Sequence, residues 1–232
     1  MKYSLLKDII VWDVKNWSVA LNYWEKTTTI DLRSCYGLEV GAEYGGLSLW
    51  LALKGANVLC SDIISPKENA WHKHTEHNVS SLIEYEALDI ASMPYKDRFD
   101  VIMLKSVLGA LGKDVTQEEQ INLRGNAIQE MHKALKPGGE LFFVENLVAS
   151  PLHRFLRKLP LKRGKIWKYM TIVEMINHLS IFNDYQFITV GFLGQLGKQE
   201  WTRYLFGTLD RMVVDALVPK SWRYLIIGVA RK

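Results

Sequence analysis

One stretch constrains this chain more than any other: Tyr36-Gly37-Leu38-Glu39-Val40-Gly41-Ala42-Glu43-Tyr44-Gly45-Gly46-Leu47-Ser48. A short β-prone run enters it, and an apolar helical pattern (Leu47, Leu49, Trp50, Leu51, Ala52) leaves it. Strand, glycine-rich turn and helix form the geometry in which backbone amides approach a ligand closely, because a side chain would block them. Asn57 to Asp62 then reads as a second strand ending in a carboxylate, about twenty residues on, where βαβ units bond ribose hydroxyls. A tight strand–helix turn with no ligand is the competing reading.

The turn departs from the dinucleotide pattern Gly-x-Gly-x-x-Gly, which needs glycine at position 43, here Glu43. A carboxylate there repels a pyrophosphate and suits a ligand carrying an amine or a sulfonium. Glu39, at the strand's end, is placed to hold an ammonium group. A nicotinamide-dependent oxidoreductase, which shares the first βαβ unit, remains the alternative of a different reaction class.

The 232 residues suit one α/β domain. A formal net charge of +4 argues against nucleic acid as a partner unless the charge is clustered. Cys35 and Cys60 are too few for a disulfide framework and read as reduced thiols of a cytoplasmic protein. Lysines and aspartates interrupt the apolar residues of Met1 to Lys15, unlike a signal peptide, and no apolar run approaches the ~20 residues of a membrane span.

Ahead of the glycine turn, Trp12, Val14, Trp17, Ala20, Leu21 and Trp24 predict a helix over about 14–26, outside the βαβ core. It is either a packing helix or part of a lid spanning 1–32, since aromatic side chains exclude water. Pro66 opens a polar helix carrying His72, His74 and His77; a metal site is one reading, a solvated face the favoured one. Ile83 to Leu88 alternates as a third strand ending at Asp89-Ile90. Phe99 to Leu104 is an apolar fourth strand with Lys105 and Ser106 at its carboxyl end, where open α/β sheets bind ligands. The capping box Thr116-x-x-Glu119 opens a helix to about Leu135. Lys136-Pro137-Gly138-Gly139 then feeds a fifth strand, Glu140 to Val144, with Glu145 and Asn146 emerging from it. Thr171-x-x-Glu174 caps a further helix. Gln186 to Phe192 and Arg223 to Ala230 read as the last two strands, around a helix near 199–216.

Three of these landmarks, Glu39-x-Gly41 followed by Gly45, the acid Asp89, and Ala134-Leu135-Lys136-Pro137-Gly138-Gly139-Glu140, together resemble the class I S-adenosylmethionine (SAM) methyltransferases. The glycine those enzymes usually carry mid-turn is absent here. The resemblance covers about Arg33 to Lys232. It implies a doubly wound α/β sheet of seven strands in the order 3-2-1-4-5-7-6, the last antiparallel. SAM would lie across the carboxyl ends of strands one, two and four. The cofactor-binding residues it implies are Glu39, Gly41, Ala42, Gly45, Asp62, Ile63, Asp89, Ile90 and Lys105. Asp62 would take the ribose, Ile63 the flat base, and Asp89 the adenine amino group. Residues 33–150 would form the SAM-binding core and 151–232 the acceptor-side segment.

Methyl transfer is an in-line displacement that needs alignment and, for a hydroxyl acceptor, removal of a proton. Lys105-Ser106-Val107-Leu108 stands where enzymes acting on exocyclic base amines carry Asn/Asp-Pro-Pro-aromatic, which argues against that acceptor. Neither cysteine is placed for covalent attack, and a divalent metal is disfavoured for want of an acid-rich pair of strand ends, with Glu145 the residue that keeps it open. Glu145 and His153 are the candidate proton acceptors, each with a structural hydrogen-bonding role as its alternative. The segments Lys105 to Gly109, Glu145 to Leu147 and Ser150 to His153 resemble a methyltransferase group associated with bacterial surface-polysaccharide synthesis, which implies a sugar hydroxyl on a glycan or other small-molecule acceptor. A SAM-fold binding module without turnover is the non-enzyme alternative.

Residues 154–168 hold seven cations, Arg154, Arg157, Lys158, Lys162, Arg163, Lys165 and Lys168, among Phe155, Leu156, Leu159, Leu161 and Trp167. They read as a solvated surface, a cradle for an anionic glycan, or a peripheral contact with an anionic membrane.

Overall fold

In the computed structural model, which describes residues 1–112, 114–158 and 168–232, the glycine turn joins a strand to a helix as expected. The strands are β1 (Tyr36–Val40), β2 (Asn57–Asp62), β3 (Ile83–Ala87), β4 (Phe99–Lys105), β5 (Leu135–Asn146), β6 (Asp184–Val190) and β7 (Leu225–Arg231). They form one sheet in the order 3-2-1-4-5-7-6. The first five run parallel, and β7 lies antiparallel between β5 and β6. Both faces are covered, so β4 and β5 are apolar on both sides. Successive residues of β5 point to opposite faces: Phe142 joins one core and Phe143 the other.

The helices are α1 (Tyr3–Ile10), α2 (Val14–Trp17), α3 (Val19–Thr27), α4 (Gly46–Ala52), α5 (Lys67–Glu76), α6 (Gln117–Ala134), α7 (Pro151–Lys158), α8 (Ile172–Leu179), α9 (Glu200–Leu209) and α10 (Asp215–Leu217). The single helix expected over 14–26 is two, broken at Ser18. It packs on the sheet, in line with the packing-helix reading. Trp24 is fully buried, stacks on Phe142 with ring centroids 5.5 Å apart, and donates from Nε1 to the Gly228 carbonyl at 3.0 Å. An indole of this size needs a sheet face, and the β5–β7 pair supplies one with its N–H satisfied. Helix α1 escaped the sequence reading, although Leu5, Leu6, Ile9 and Ile10 have helical spacing.

At the amino end of the sheet, buried Glu140 joins the segment after α3 to the end of β7. It accepts from Thr28 Oγ1, from the Thr29 amide at 3.1 Å and from Arg231 Nε at 2.9 Å. Arg231 in turn donates to the Thr27 carbonyl and to Asp184.

Several boundaries moved. Strand β5 begins at Leu135, not Glu140, because Leu135 already pairs with Phe99. The 136–139 segment then bulges, with Gly138 at φ 78°, before Glu140 resumes the pairing at Val101. It is tied to residue 232 by the Gly138 amide donating to the Lys232 carbonyl and the Lys232 amide to the Gly139 carbonyl, each at 3.0 Å. The helix expected near 199–216 is α9, a π-helical turn at Asp210–Val214, and α10.

Candidate functional site

The carboxyl end of β1 is built around Glu39. Its two carboxylate oxygens accept the amides of Leu47 at 3.1 Å and Ser48 at 2.6 Å, so they neutralise the amino end of α4. Glu39, expected to hold a ligand's ammonium group, is thus buried with each carboxylate oxygen already accepting one backbone amide. Burial pushes its pKa up while these amides oppose the shift. Gly41 and Gly45 take left-handed conformations, with φ of 63° and 64°, and Glu43 between them does the same.

Asp62 is fixed beside this turn. Its Oδ2 accepts the Glu43 amide at 2.9 Å and its Oδ1 the Ile63 amide at 2.7 Å. The Leu88 amide donates to the Asp62 carbonyl at 2.7 Å, bringing Asp89 and Ile90 alongside. Ile63 is exposed, Ile90 buried, and Asp89 accepts the Ala91 amide while remaining open to solvent. Glu39, Gly41, Ala42, Gly45, Asp62, Ile63, Asp89 and Ile90 therefore stand along one edge, the carboxyl ends of β1 to β3. Lys105 joins them from β4, its ammonium 5.6 Å from the Trp17 ring. Burial lowers the Lys105 pKa, against the pull of Glu39, Glu43 and Glu145.

His74 supports this edge from behind and was not foreseen. The solvated-face reading holds for His72, which pairs with Glu76, but His74 is fully buried. Its Nε2 lies 2.8 Å from the Gly45 carbonyl and its Nδ1 2.6 Å from Tyr85 Oη. With a carbonyl on one nitrogen and a phenol on the other, the ring is satisfied as a neutral imidazole, and burial lowers its pKa. A Cβ on Gly45 would sit 2.6 Å from this ring.

The turn after β4 is gripped from both sides. Glu145 Oε1 accepts the amides of Val107 at 2.5 Å and Leu108 at 2.8 Å, and Arg124 Nε donates to the Leu108 carbonyl at 2.9 Å. Arg124 also pairs with Glu174 at 2.6 Å. Sequence reasoning passed over Arg124, although it falls in line with Ala127, Ile128 and Met131 on the apolar stripe of α6. A cation there signals a buried partner.

Both candidate proton acceptors are buried. Glu145 is fully buried beneath the turn, with its pKa pushed up to about 7 by burial; its Oε1 is held by the turn's amides, while its Oε2 has no hydrogen-bond partner among the described residues. His153 is buried with both nitrogens engaged: Nδ1 lies 2.7 Å from Ser150 Oγ and Nε2 2.9 Å from the Phe192 carbonyl. That leaves no free nitrogen to take a proton.

The basic stretch is not uniformly a surface either. Arg157 donates to the carbonyls of Leu147 and Val148, pairs with Gln195, and stacks 3.5 Å from the Tyr169 ring centroid. Burial lowers its pKa to about 10. Lys168 bonds the Val115 carbonyl. Arg154 and Phe155 are exposed, whereas 159–167, with Lys162, Arg163 and Lys165, lie outside the described residues.

Residues 38–143 match the family model described as a methyltransferase domain. No curated protein sequence matches the chain. Among solved structures, the YcgJ protein from Bacillus subtilis is 17% identical with a TM-score of 0.64, covering 93% of this chain and 98% of its own. Phosphoethanolamine N-methyltransferase 2 of Haemonchus contortus, solved with SAM, is 13% identical with a TM-score of 0.61. That match covers 93% of this chain, which spans about half of the worm protein (52%). The [4+2]-cyclase SpnF is 15% identical with a TM-score of 0.61, covering 94% of this chain and 80% of its own. The sheet order with its antiparallel last strand is the Rossmann-like methyltransferase architecture.

Proposed function

We propose, for a chain with the SAM-dependent methyltransferase fold and a methyltransferase-domain match over 38–143, that it transfers the SAM methyl group to a hydroxyl of a small-molecule acceptor. The observation that carries this reading is Asp62, braced against the glycine turn through the Glu43 amide and tied to Asp89 through the Leu88 amide. Two acids at adjacent strand ends, with lone pairs left over, fit a ligand bearing a ribose diol and an adenine amino group. Glu43, standing where a dinucleotide turn needs glycine, disfavours a pyrophosphate.

SAM supplies a methyl group activated by its sulfonium. The chain's own residues bind and align. Asp62 bonds the ribose, Asp89 and the Ile90 amide the adenine edge, and exposed Ile63 lies against the base. Gly41, Ala42 and Gly45 let the backbone approach, and Lys105 faces the charged end of the ligand. Glu145, with Arg124, fixes the turn that closes the acceptor side, a positioning role rather than a proton-accepting one. The hydroxyl reading rests on Lys105-Ser106-Val107-Leu108 in place of an amine-binding motif. Resemblance to a surface-polysaccharide group suggests a sugar. An amine acceptor is the competing outcome, as in the Haemonchus contortus N-methyltransferase.

Calorimetry with SAM and NAD separately tests the cofactor. SAM should bind and NAD should not, and the reverse would overturn the reading. Asp62→Ala should weaken SAM by about 1–3 kcal/mol, roughly 5- to 150-fold, because ligand hydroxyls lose their acceptor. Labelled methyl transfer onto lipid-linked and nucleotide-linked sugars tests the acceptor. Label appearing only in amines would remove the hydroxyl assignment, and SAM binding without turnover on a broad panel would make the chain a binding module.

A further inference from the structure

We infer that the outer face of Glu200–Leu217 is a membrane-contact surface that seats the protein in the plane of an anionic bilayer. The inference does not depend on what the methyl acceptor is, and the surface is distinct from the basic stretch at 154–168.

Trp201, Leu205, Leu209, Met212, Val213 and Leu217 are each between 42% and 77% exposed. Four of them, Leu205, Leu209, Val213 and Leu217, repeat every fourth residue. On an ordinary helix of 3.6 residues per turn such a repeat drifts around the axis. The π-helical turn at Asp210–Val214 is wider and underwound, and it offsets that drift just where the stripe would leave the surface. The result is an apolar stripe roughly 25 Å long at 1.5 Å per residue. A continuous exposed apolar face of this kind marks an interaction site.

The charges say what covers it. Every acid of this segment is turned inward onto backbone amides. Glu200 accepts from Asp13 and Val14 at 2.9 Å, Asp210 from Leu193 and Gly194 at 2.7 and 2.9 Å, and Asp215 from Gly191 at 3.0 Å. Arg203 also faces inward, donating to the Gly197 carbonyl and lying over Trp12. What remains outside is Arg211 on the stripe's flank, with Lys198 and Lys220 exposed at its two ends. An apolar face rimmed by cations and cleared of acids complements an anionic headgroup layer. Trp201 and Trp222, exposed at opposite ends, are of the amphipathic type that settles at a membrane–water boundary. A second copy of the chain would meet this face with the same cations, which repel, so the bilayer is the better complement.

Among the described residues no helix is long and apolar enough to cross a membrane, so the contact would lie in the plane. The test is co-sedimentation of the full chain with vesicles of phosphatidylcholine alone or of equimolar phosphatidylcholine and phosphatidylglycerol. The wild type should bind the mixed vesicles at least ~10-fold better, and 1 M salt should weaken that preference. Leu205→Asp, Met212→Asp and Leu217→Asp combined should abolish binding with thermal unfolding unchanged. Should that variant fail to fold, Arg211→Gln with Lys220→Gln, both at exposed positions, should weaken binding to mixed vesicles roughly 30-fold. Equal binding to both vesicles, or retained binding by either folded variant, would overturn the inference. So would a wild-type dimer dispersed by the triple substitution with no vesicle binding, which would make the face a contact between copies.

Discussion

Gly46→Ala is expected to destabilise the protein by about 3 kcal/mol or more, although alanine is the better helix former by ~1 kcal/mol. A Cβ at this position would lie 1.9 Å from the Ile9 carbonyl oxygen and 2.8 Å from its carbon. Both neighbours are backbone, so no side chain can rotate away, and α1 must slide off the amino end of α4. Ile9 and Ile10, fully packed in the core beneath, would lose their seats. Urea unfolding should show the loss as a lower midpoint at unchanged slope. A neutral or stabilising outcome would mean that α1 does not dock on α4 as described.

The second large effect concerns the ligand edge. Gly41→Val should reduce SAM affinity by more than roughly 150-fold, beyond what Asp62→Ala does. Two strains act together. A β-branched residue at φ 63° occupies a conformation it rarely adopts. Its Cβ would also meet Val107 Cγ2 at 2.6 Å. Val107 cannot simply retreat, because its amide is held by Glu145 and the next residue's carbonyl by Arg124. The substitution therefore displaces the glycine turn, the turn after β4, or both. Calorimetry reads the affinity, and circular dichroism checks that the fold survives. Unchanged SAM affinity would remove the glycine turn from the site.

How much of this was legible differs between elements for physical reasons. Strands β2 and β4 declared themselves, since a doubly covered strand must be apolar on both sides and is bounded by its polar ends. Asp62 drew attention through its place along a βαβ chain, whereas Asp89 did so only through the resemblance to a family. Strand order came from resemblance to a family; nothing local to β7 tells it to insert between β5 and β6. The buried charged and polar side chains were not legible. Glu145 and His153 have the chemistry of proton acceptors, yet Glu145 Oε1 and His153 Nε2 are taken by backbone groups 37–39 residues away, with nearby Ser150 on the other His153 nitrogen. His74 likewise answers to Gly45, 29 positions earlier. In each case residue type was read correctly and partner was not, because partners are set by the folded sheet rather than by spacing.

Strand β7 has a consequence for how the chain is made. It is the last strand in sequence, yet it sits between β5 and β6 and carries Gly228, the carbonyl partner of Trp24, and Arg231, the partner of Glu140. While the ribosome is still extruding residues before Leu225, β5 has an unpaired apolar edge, β6 has no neighbour to join, and α3 lacks its anchor. Helix α3 emerges long before β7 yet gains its Gly228 and Arg231 partners only when β7 is made. Pairing across such sequence separations is slow and exposes sticky surface in the interim. The nascent chain should therefore depend on chaperones until β7 emerges, and stalling translation before residue 225 should leave it sensitive to protease along its whole length.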